Sequence, residues 1–402
     1  MKHQNHTTIN QVFVFLEIFE KEGGIQSYVK NLLDAYRSLN SQTEHEIAAD
    51  VFLLRDKPGC DNPLDSYPLK FHYLKSPHPK LGRLRLSAAL LQCLWQQRPN
   101  HVFCGHINLA PLIQLLCQPL GVPYTILTYG KEVWNRLPSL QHQALNSATE
   151  IWTISRYSRD RACAANNLDP QKVKIFTCMV DGNAFTPGTK PPALIQNYGL
   201  EGAKVLMTVA RLWSGDIYKG VDVTIRALPA IAQVFPEVKY LVIGRGDDQP
   251  RLAGLAQELG IADRVVFAGF VPTSDLADHY RVADAYIMPS QEGFGIVYLE
   301  AMACGKPVLA GNADGSADPL QDGRLGWQVP HRNPEAVAAA CIEILKGEDL
   351  RCNGEWLREQ CLAQFSQDAF RERLNQLVNT TAAAIPTKAI RRSPSQVEAN
   401  VD

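Results

Sequence analysis

The stretch Pro289–Gly305 reads PSQEGFGIVYLEAMACG and follows the apolar run Ala285–Met288, which has strand character. It carries two carboxylates eight residues apart, Glu292 and Glu300. Between them Gly293-Phe294-Gly295 breaks the strand, and Ile296–Cys304 has the composition of a helix start. A strand that ends in a glycine turn and opens a helix leaves several backbone N–H groups unpaired. Together with the positive end of the helix dipole, these donors suit a phosphate or diphosphate. Were the intervening residues helical, the carboxylates would lie roughly 12 Å apart along the axis. That separation fits a ligand with hydroxyls at both ends and phosphate in the middle, such as a nucleoside diphosphate sugar. The bland alternative is a solvent-exposed acidic turn on an ordinary strand–helix unit.

Outward from this stretch, the chain alternates strands with helices. The strand expectations behind it are Val205–Ala210, Lys239–Ile243, Arg264–Phe267, Ala285–Met288 and Pro307–Leu309. Helical patterns lie at Val221–Val234, Gln249–Leu259, Ser274–Arg281 and Ile296–Cys304, and later at Pro334–Leu345 and Asp368–Val378. The first half repeats the pattern: strands at Gln11–Ile18, Ile47–Leu54, His101–Cys104, Tyr124–Thr128 and Glu150–Ile154, ending near Lys174–Phe176, with a helix at Gln26–Leu39. Such alternation predicts parallel α/β sheets, and 402 residues exceed one ordinary core. Asp181–Leu200, with Pro187, Gly188, Pro191 and Pro192, reads as the connection. The expected division is 1–186 for the first domain, 187–200 for a linker, 201–364 for the second domain, 365–380 for a terminal helix and 381–402 for a disordered tail. Ligands of open α/β sheets bind beyond the carboxyl ends of the strands, so the site is expected in the cleft between the domains.

Composition removes several classes. A net charge of −1 leaves no overall bias toward nucleic acid. Ten scattered cysteines, without a C-x-x-C pair or Cys/His ligand spacing, argue for free thiols and against zinc or a disulfide framework. Val12–Phe19 is interrupted by Glu17 and follows a polar start, unlike a signal peptide. No apolar run approaches the length of a membrane span, so the expectation is a cytoplasmic protein. One region is asymmetric. From Ser66 to Gly130 there is no Asp or Glu, while Lys70, Lys75, Lys80, Arg83, Arg85 and Arg98 fall inside it. The apolar segment Leu84–Trp95 follows its densest basic part. This combination suits an anionic membrane surface at the inner face; a solvated basic face beside a core helix is the alternative.

Four further features gather around strand ends. Gly23-Gly24 at the first strand-to-helix crossing permits close approach by a ligand or a facing domain. Arg211 and Lys219 bracket a glycine-containing loop, and two such cations clamp a diphosphate unless they are simply surface charges. Gly244-Arg245-Gly246-Asp247 lacks the third glycine of the dinucleotide fingerprint, which disfavours an oxidoreductase and leaves a tight turn that a ligand can pass near Gly246. Gly269-Phe270-Val271-Pro272 closes the next strand, with backbone at Val271 available to a nucleobase.

In order, Gly23-Gly24-Ile25, Arg211…Lys219-Gly220, Gly244-x-Gly246-x-Asp248 and Glu292-x7-Glu300 resemble the retaining glycosyltransferases of family 4. The resemblance covers roughly residues 11–378, and Thr177–Phe185 also matches the interdomain segment at Val180, Asp181 and Phe185. It implies the GT-B fold, two Rossmann-like doubly wound domains facing across a cleft. It implies that Arg211 and Lys219 bind the donor diphosphate and stabilise the leaving group, with Glu292 at the sugar. Glu300 is implied to hold the ribose hydroxyls, while backbone from Gly293 through Phe294, Gly295, Ile296 and Val297 meets the phosphates or sugar. The last helix is implied to cross back to the first domain. Where many members carry His-Gly, this chain has Tyr129-Gly130-Lys131-Glu132; Tyr is a poor base near neutrality, with a pKa of about 10. His106 stands as a substitute, so His106, Tyr129 and Glu132 form the expected acceptor side. No cofactor or metal is implied. The expected function is sugar transfer from a nucleotide donor to an acceptor hydroxyl, on a glycolipid, exopolysaccharide or other envelope glycan. A GT-B epimerase or phosphorylase, or a non-catalytic membrane-surface binding protein, is the alternative.

Overall fold

The structure, a computed structural model, describes residues 9–39 and 47–383. Among them, seven parallel strands form the first sheet: β1 Ile9–Phe15, β2 Ile47–Leu53, β3 Leu69–Tyr73, β4 His101–Cys104, β5 Tyr124–Thr128, β6 Glu150–Thr153 and β7 Val173–Ile175. Their order is β3-β2-β1-β4-β5-β6-β7. The strands read as nearly continuous apolar runs because helices cover both faces. Val12–Phe15 and all of Tyr124–Thr128 are buried. The helices here are α1 Gly24–Ser38, α2 Pro79–Gln97, α3 Ala110–Cys117, α4 Ser139–Ser147 and α5 Arg156–Asn166.

A short helix, α6 Pro192–Tyr198, leads into the second sheet, so the segment 187–200 is not irregular throughout. Pro191 and Pro192 start that helix rather than prevent it, since proline is tolerated in a first turn. The second sheet comprises β8 Lys204–Val209, β9 Val238–Ile243, β10 Val265–Gly269, β11 Ala285–Met288, β12 Val308–Gly311 and β13 Trp327–Val329, in the order β10-β9-β8-β11-β12-β13. Its helices are α7 Val221–Val234, α8 Gln249–Glu258, α9 Thr273–Val282, α10 Ile296–Ala303, α11 Pro334–Lys346 and α12 Gly354–Phe365, followed by α13 Gln367–Ala383. The sequence pattern overlooked β3, β13 and α12. β3 has only one fully buried residue, Leu69, and β13 is three residues long. The tail expected from residue 381 begins instead as the last residues of α13, and its remainder lies outside the described residues.

Both sheets reverse their winding direction, between β1 and β4 in the first and between β8 and β11 in the second. These switch points open crevices at the strand carboxyl ends. The largest buried cluster is shared, running from Phe103, Trp152 and Phe176 to Tyr280, Tyr286 and Tyr298. Helix α13 returns to the first sheet: Phe370 stacks on Phe176 with centroids 4.4 Å apart, and Gln367 donates to Asp34 of α1 at 3.0 Å. Arg156, opening α5, donates to Asp318 at 2.6 Å and to Asp322 at 2.8 Å across the cleft.

Candidate active site

The second switch point is built from two loops, one after β8 and one after β11. They are joined directly: the Gln291 N–H donates to the Tyr218 carbonyl at 3.1 Å. Lys219 pairs with Glu292 through its ammonium, and both side chains are less than one-fifth exposed. Burial works against the Lys219 charge, but Glu292 together with Tyr218 and Asp216 outweighs it and holds the pKa above the ordinary lysine value. Arg211 is more than half exposed, lies 3.0 Å from Asp216 and rests over Trp213. The structure thus brings Arg211, Lys219 and Glu292 to one crevice.

Glu292 lies on the turn, because α10 does not begin until Ile296. The helical 12 Å separation from Glu300 therefore does not apply. Gly295 enters α10 with φ +90°, a conformation side chains rarely adopt. No side chain caps that helix, so its first N–H groups face the crevice without a protein partner of that kind. Ile296 and Val297 are partly exposed at this end, whereas Phe294 is buried and packs edge-on to Phe365 of α12. Its side chain belongs to the core; only its backbone is near the crevice. Glu300 accepts from Tyr280 Oη at 2.7 Å. Burial pushes its pKa up to about 7, with that hydrogen bond opposing.

Asp314 escaped the sequence-based selection of site residues, yet it shapes the centre. It accepts from the Glu292 N–H at 2.6 Å and the Ser316 N–H at 2.9 Å, and burial raises its pKa to about 6. A D-G pair after a strand is the signal that marks it. Gly246 packs under the Arg211 loop, where a Cβ would meet the Leu212 carbonyl oxygen at 2.0 Å. Packing alone accounts for this glycine. Gly24 is exposed with open space before it, and Val271 is partly buried against the core at the end of β10.

On the first sheet, the expected acceptor residues turn out to hold loops. Tyr129 Oη donates to the Gly105 carbonyl at 2.9 Å, and its ring is buried, which raises the phenol pKa strongly. Its hydroxyl is thereby engaged with backbone. Glu132 accepts from the N–H groups of Tyr129 and Gly130 and closes its own turn; burial raises its pKa. His106 sits after β4, at the switch point, and its Nδ1 accepts from the Asn108 N–H at 3.1 Å. Burial and then Arg55 lower its pKa, against Glu17. Among the described residues, no group of His, Cys, Asp or Glu could hold a metal ion.

Two facing doubly wound domains thus place cations and carboxylates at the second switch point. Residues 203–347 match the family model described as glycosyl transferases group 1. The chain is 34% identical over 232 residues to a GDP-mannose-dependent alpha-(1-6)-phosphatidylinositol monomannoside mannosyltransferase of Mycolicibacterium smegmatis, covering 54% of this chain and 59% of that one. The enzyme of the same description from Mycobacterium tuberculosis is 31% identical over 271 residues, covering 64% of this chain and 69% of its relative. Among solved structures, Anabaena HepE in complex with UDP superposes with a TM-score of 0.73 at 19% identity, covering 92% of this chain and all of that one. Sucrose-phosphate synthase from Thermosynechococcus elongatus superposes at 0.75 with 21% identity, over 94% of this chain and 100% of its own. These structures share the GT-B fold expected above. The chain belongs to the glycosyl transferases group 1 family.

Proposed function

We propose that the protein transfers a hexose, with retention at the anomeric carbon, from a nucleoside-diphosphate sugar to a hydroxyl of a lipid-linked acceptor. The observation that carries this reading is the Lys219–Glu292 pair set beside the uncapped start of α10, with Arg211 at the same switch point. In the reaction, the bond from the anomeric carbon to the diphosphate oxygen breaks and its electron pair stays on that oxygen. The acceptor oxygen bonds on the same face of the sugar, and its proton passes to the leaving phosphate. Arg211 and Lys219 neutralise the charge that develops on the diphosphate, in a crevice where fixed donors need no reorganisation. Glu292 holds the Lys219 ammonium in place and accepts from sugar hydroxyls, while Glu300 accepts from the ribose.

The two mannosyltransferase relatives are described as GDP-mannose-dependent and as acting on phosphatidylinositol monomannoside, which makes GDP-mannose and a phosphoinositide-type acceptor the first pair to assay. Helix α2 supports a membrane-surface acceptor. Its Leu86, Leu90 and Leu94 are buried, whereas Leu84, Leu91 and Trp95 are exposed at 66%, 46% and 68%. Spacings of seven and four put those three on one face, with Lys80, Arg83 and Arg85 at the start of the helix. No helix among the described residues is long and apolar enough to cross a membrane. The test is turnover of GDP-mannose and UDP-glucose with such acceptors, with the product anomer assigned by NMR. An α-linked product supports the proposal; an inverted product, or donor isomerisation without acceptor, overturns it.

A further inference from the structure

Lys131 follows the Tyr129-Gly130 turn at the end of β5, on the sheet opposite the Arg211 and Lys219 loop. The two sides touch there. A Cβ on Gly293 would lie 2.4 Å from the Tyr129 carbonyl oxygen, and one on Gly130 would lie 3.2 Å from Gly293 Cα. Only backbone this bare lets the turn approach the Glu292 loop so closely, and the approach delivers Lys131 into the crevice. Its ammonium lies 2.8 Å from the centroid of the Tyr218 ring. Lys219 lies 5.4 Å from the same ring, so Tyr218 carries two ammonium groups, one from each sheet. Among the described residues Lys131 has no ion pair, and the ring is its partner. Burial lowers its pKa, Glu292 opposes that drop and Lys219 adds to it, which places the charge within the field of the proposed donor site. A ring face holds an ammonium less firmly than an anionic oxygen does. An anion arriving beside Lys219 therefore draws Lys131 off the ring, while Lys219 is already held by Glu292.

We propose that Lys131 is a third cation of the donor diphosphate site, contributed by the first sheet, and that it exchanges the Tyr218 ring for a terminal phosphate oxygen when the nucleotide binds. The proposal rests on the donor-site reading above. It makes Lys131 a binding residue that ties the two domains together through the ligand, with no bond made or broken at the lysine.

The test is calorimetric titration of UDP, GDP, UMP and GMP into wild type, Lys131→Met and Lys131→Arg, with unfolding temperatures recorded alongside. For the nucleotide that wild type binds, Lys131→Met should weaken the diphosphate about tenfold, the scale of one charged hydrogen bond. The monophosphate, lacking the terminal group, should change by less than about twofold, and Lys131→Arg should recover most of the loss. Diphosphate binding within about twofold of wild type in Lys131→Met overturns the proposal. So does an equal loss for monophosphate and diphosphate. Wild type that binds none of the four nucleotides overturns the donor-site reading itself, a result distinguishable from failure of Lys131 alone.

Discussion

Lys219 and Glu292 form an ion pair across 73 residues of sequence, joining the loop after β8 to the loop after β11. The pair sits where the second sheet reverses direction, so the geometry of the crevice depends on both loops at once. Either partner alone would be a charge with little solvent around it, which is costly. Together they hold an ammonium at the crevice, where the proposed diphosphate would meet it.

Arg211 differs from Lys219 in being largely exposed, with Asp216 and the Trp213 ring as its neighbours. Arg211→Ala should therefore lower kcat by about 10²–10³-fold, the usual effect of losing one donor at a developing oxyanion. The unfolding temperature should barely move, because exposed pairs contribute little to stability. Lys219→Met should abolish nucleotide-induced stabilisation, which for wild type at 100 times Kd is about 2.7 kcal/mol. Steady-state kinetics and thermal unfolding with GDP and UDP check both; an Arg211→Ala enzyme with near-normal kcat removes the assignment.

Glu300 and Asp314 predict a pH dependence of stability. Both carboxyls have folded pKa values above their ordinary ones, Glu300 at about 7 and Asp314 at about 6. Between the unfolded and folded values the native state binds more protons, so stability falls as pH rises. The Asp314 part is lost up to about pH 6 and the Glu300 part up to about pH 7. Denaturation midpoints measured from pH 4 to 8 should fall less in Glu300→Gln than in wild type, since the amide does not titrate. Parallel curves for the two proteins would falsify the assignment of the pKa to Glu300.

The exposed face of α2 predicts binding to anionic vesicles. Wild type should sediment with phosphatidylglycerol-rich liposomes at low salt and be released as salt screens the basic residues. Leu91→Ser/Trp95→Ser should lose sedimentation while keeping its unfolding temperature, because both side chains already face solvent in the fold. The Trp95 emission should shift to the blue on binding wild type. Equal sedimentation of the double variant would assign the face to another role.

Much of the architecture was legible in the chain. Ala285–Met288 and Val221–Val234 have the structure's own bounds, because a buried parallel strand and an amphipathic helix are each encoded by apolar spacing along a short segment. The elements that escaped, β3 and β13, are short or largely half-buried and lack that signal. The site was legible in part. Arg211, Lys219 and Glu292 stand in loops after strand ends that local pattern identifies, and Glu300 lies within α10. Phe294 and Tyr129 have the same loop positions in sequence, yet one ring fills the core against Phe365 and the other engages Gly105. Loop residues have no periodicity from which to read a direction.

The sequence by itself determined the alternation of strands and helices, the division into two sheets, and the glycine turn that opens α10. Each follows from propensity and spacing within a few residues. Only the tertiary structure decided that Lys131 meets the Tyr218 ring beside Lys219, that Asp314 secures the Glu292 backbone, and that Arg156 reaches Asp318 across the cleft. Those relationships depend on how two switch points face each other. That is set by the packing of distant segments, including the return of α13 onto Phe176, and no local pattern of residues carries it.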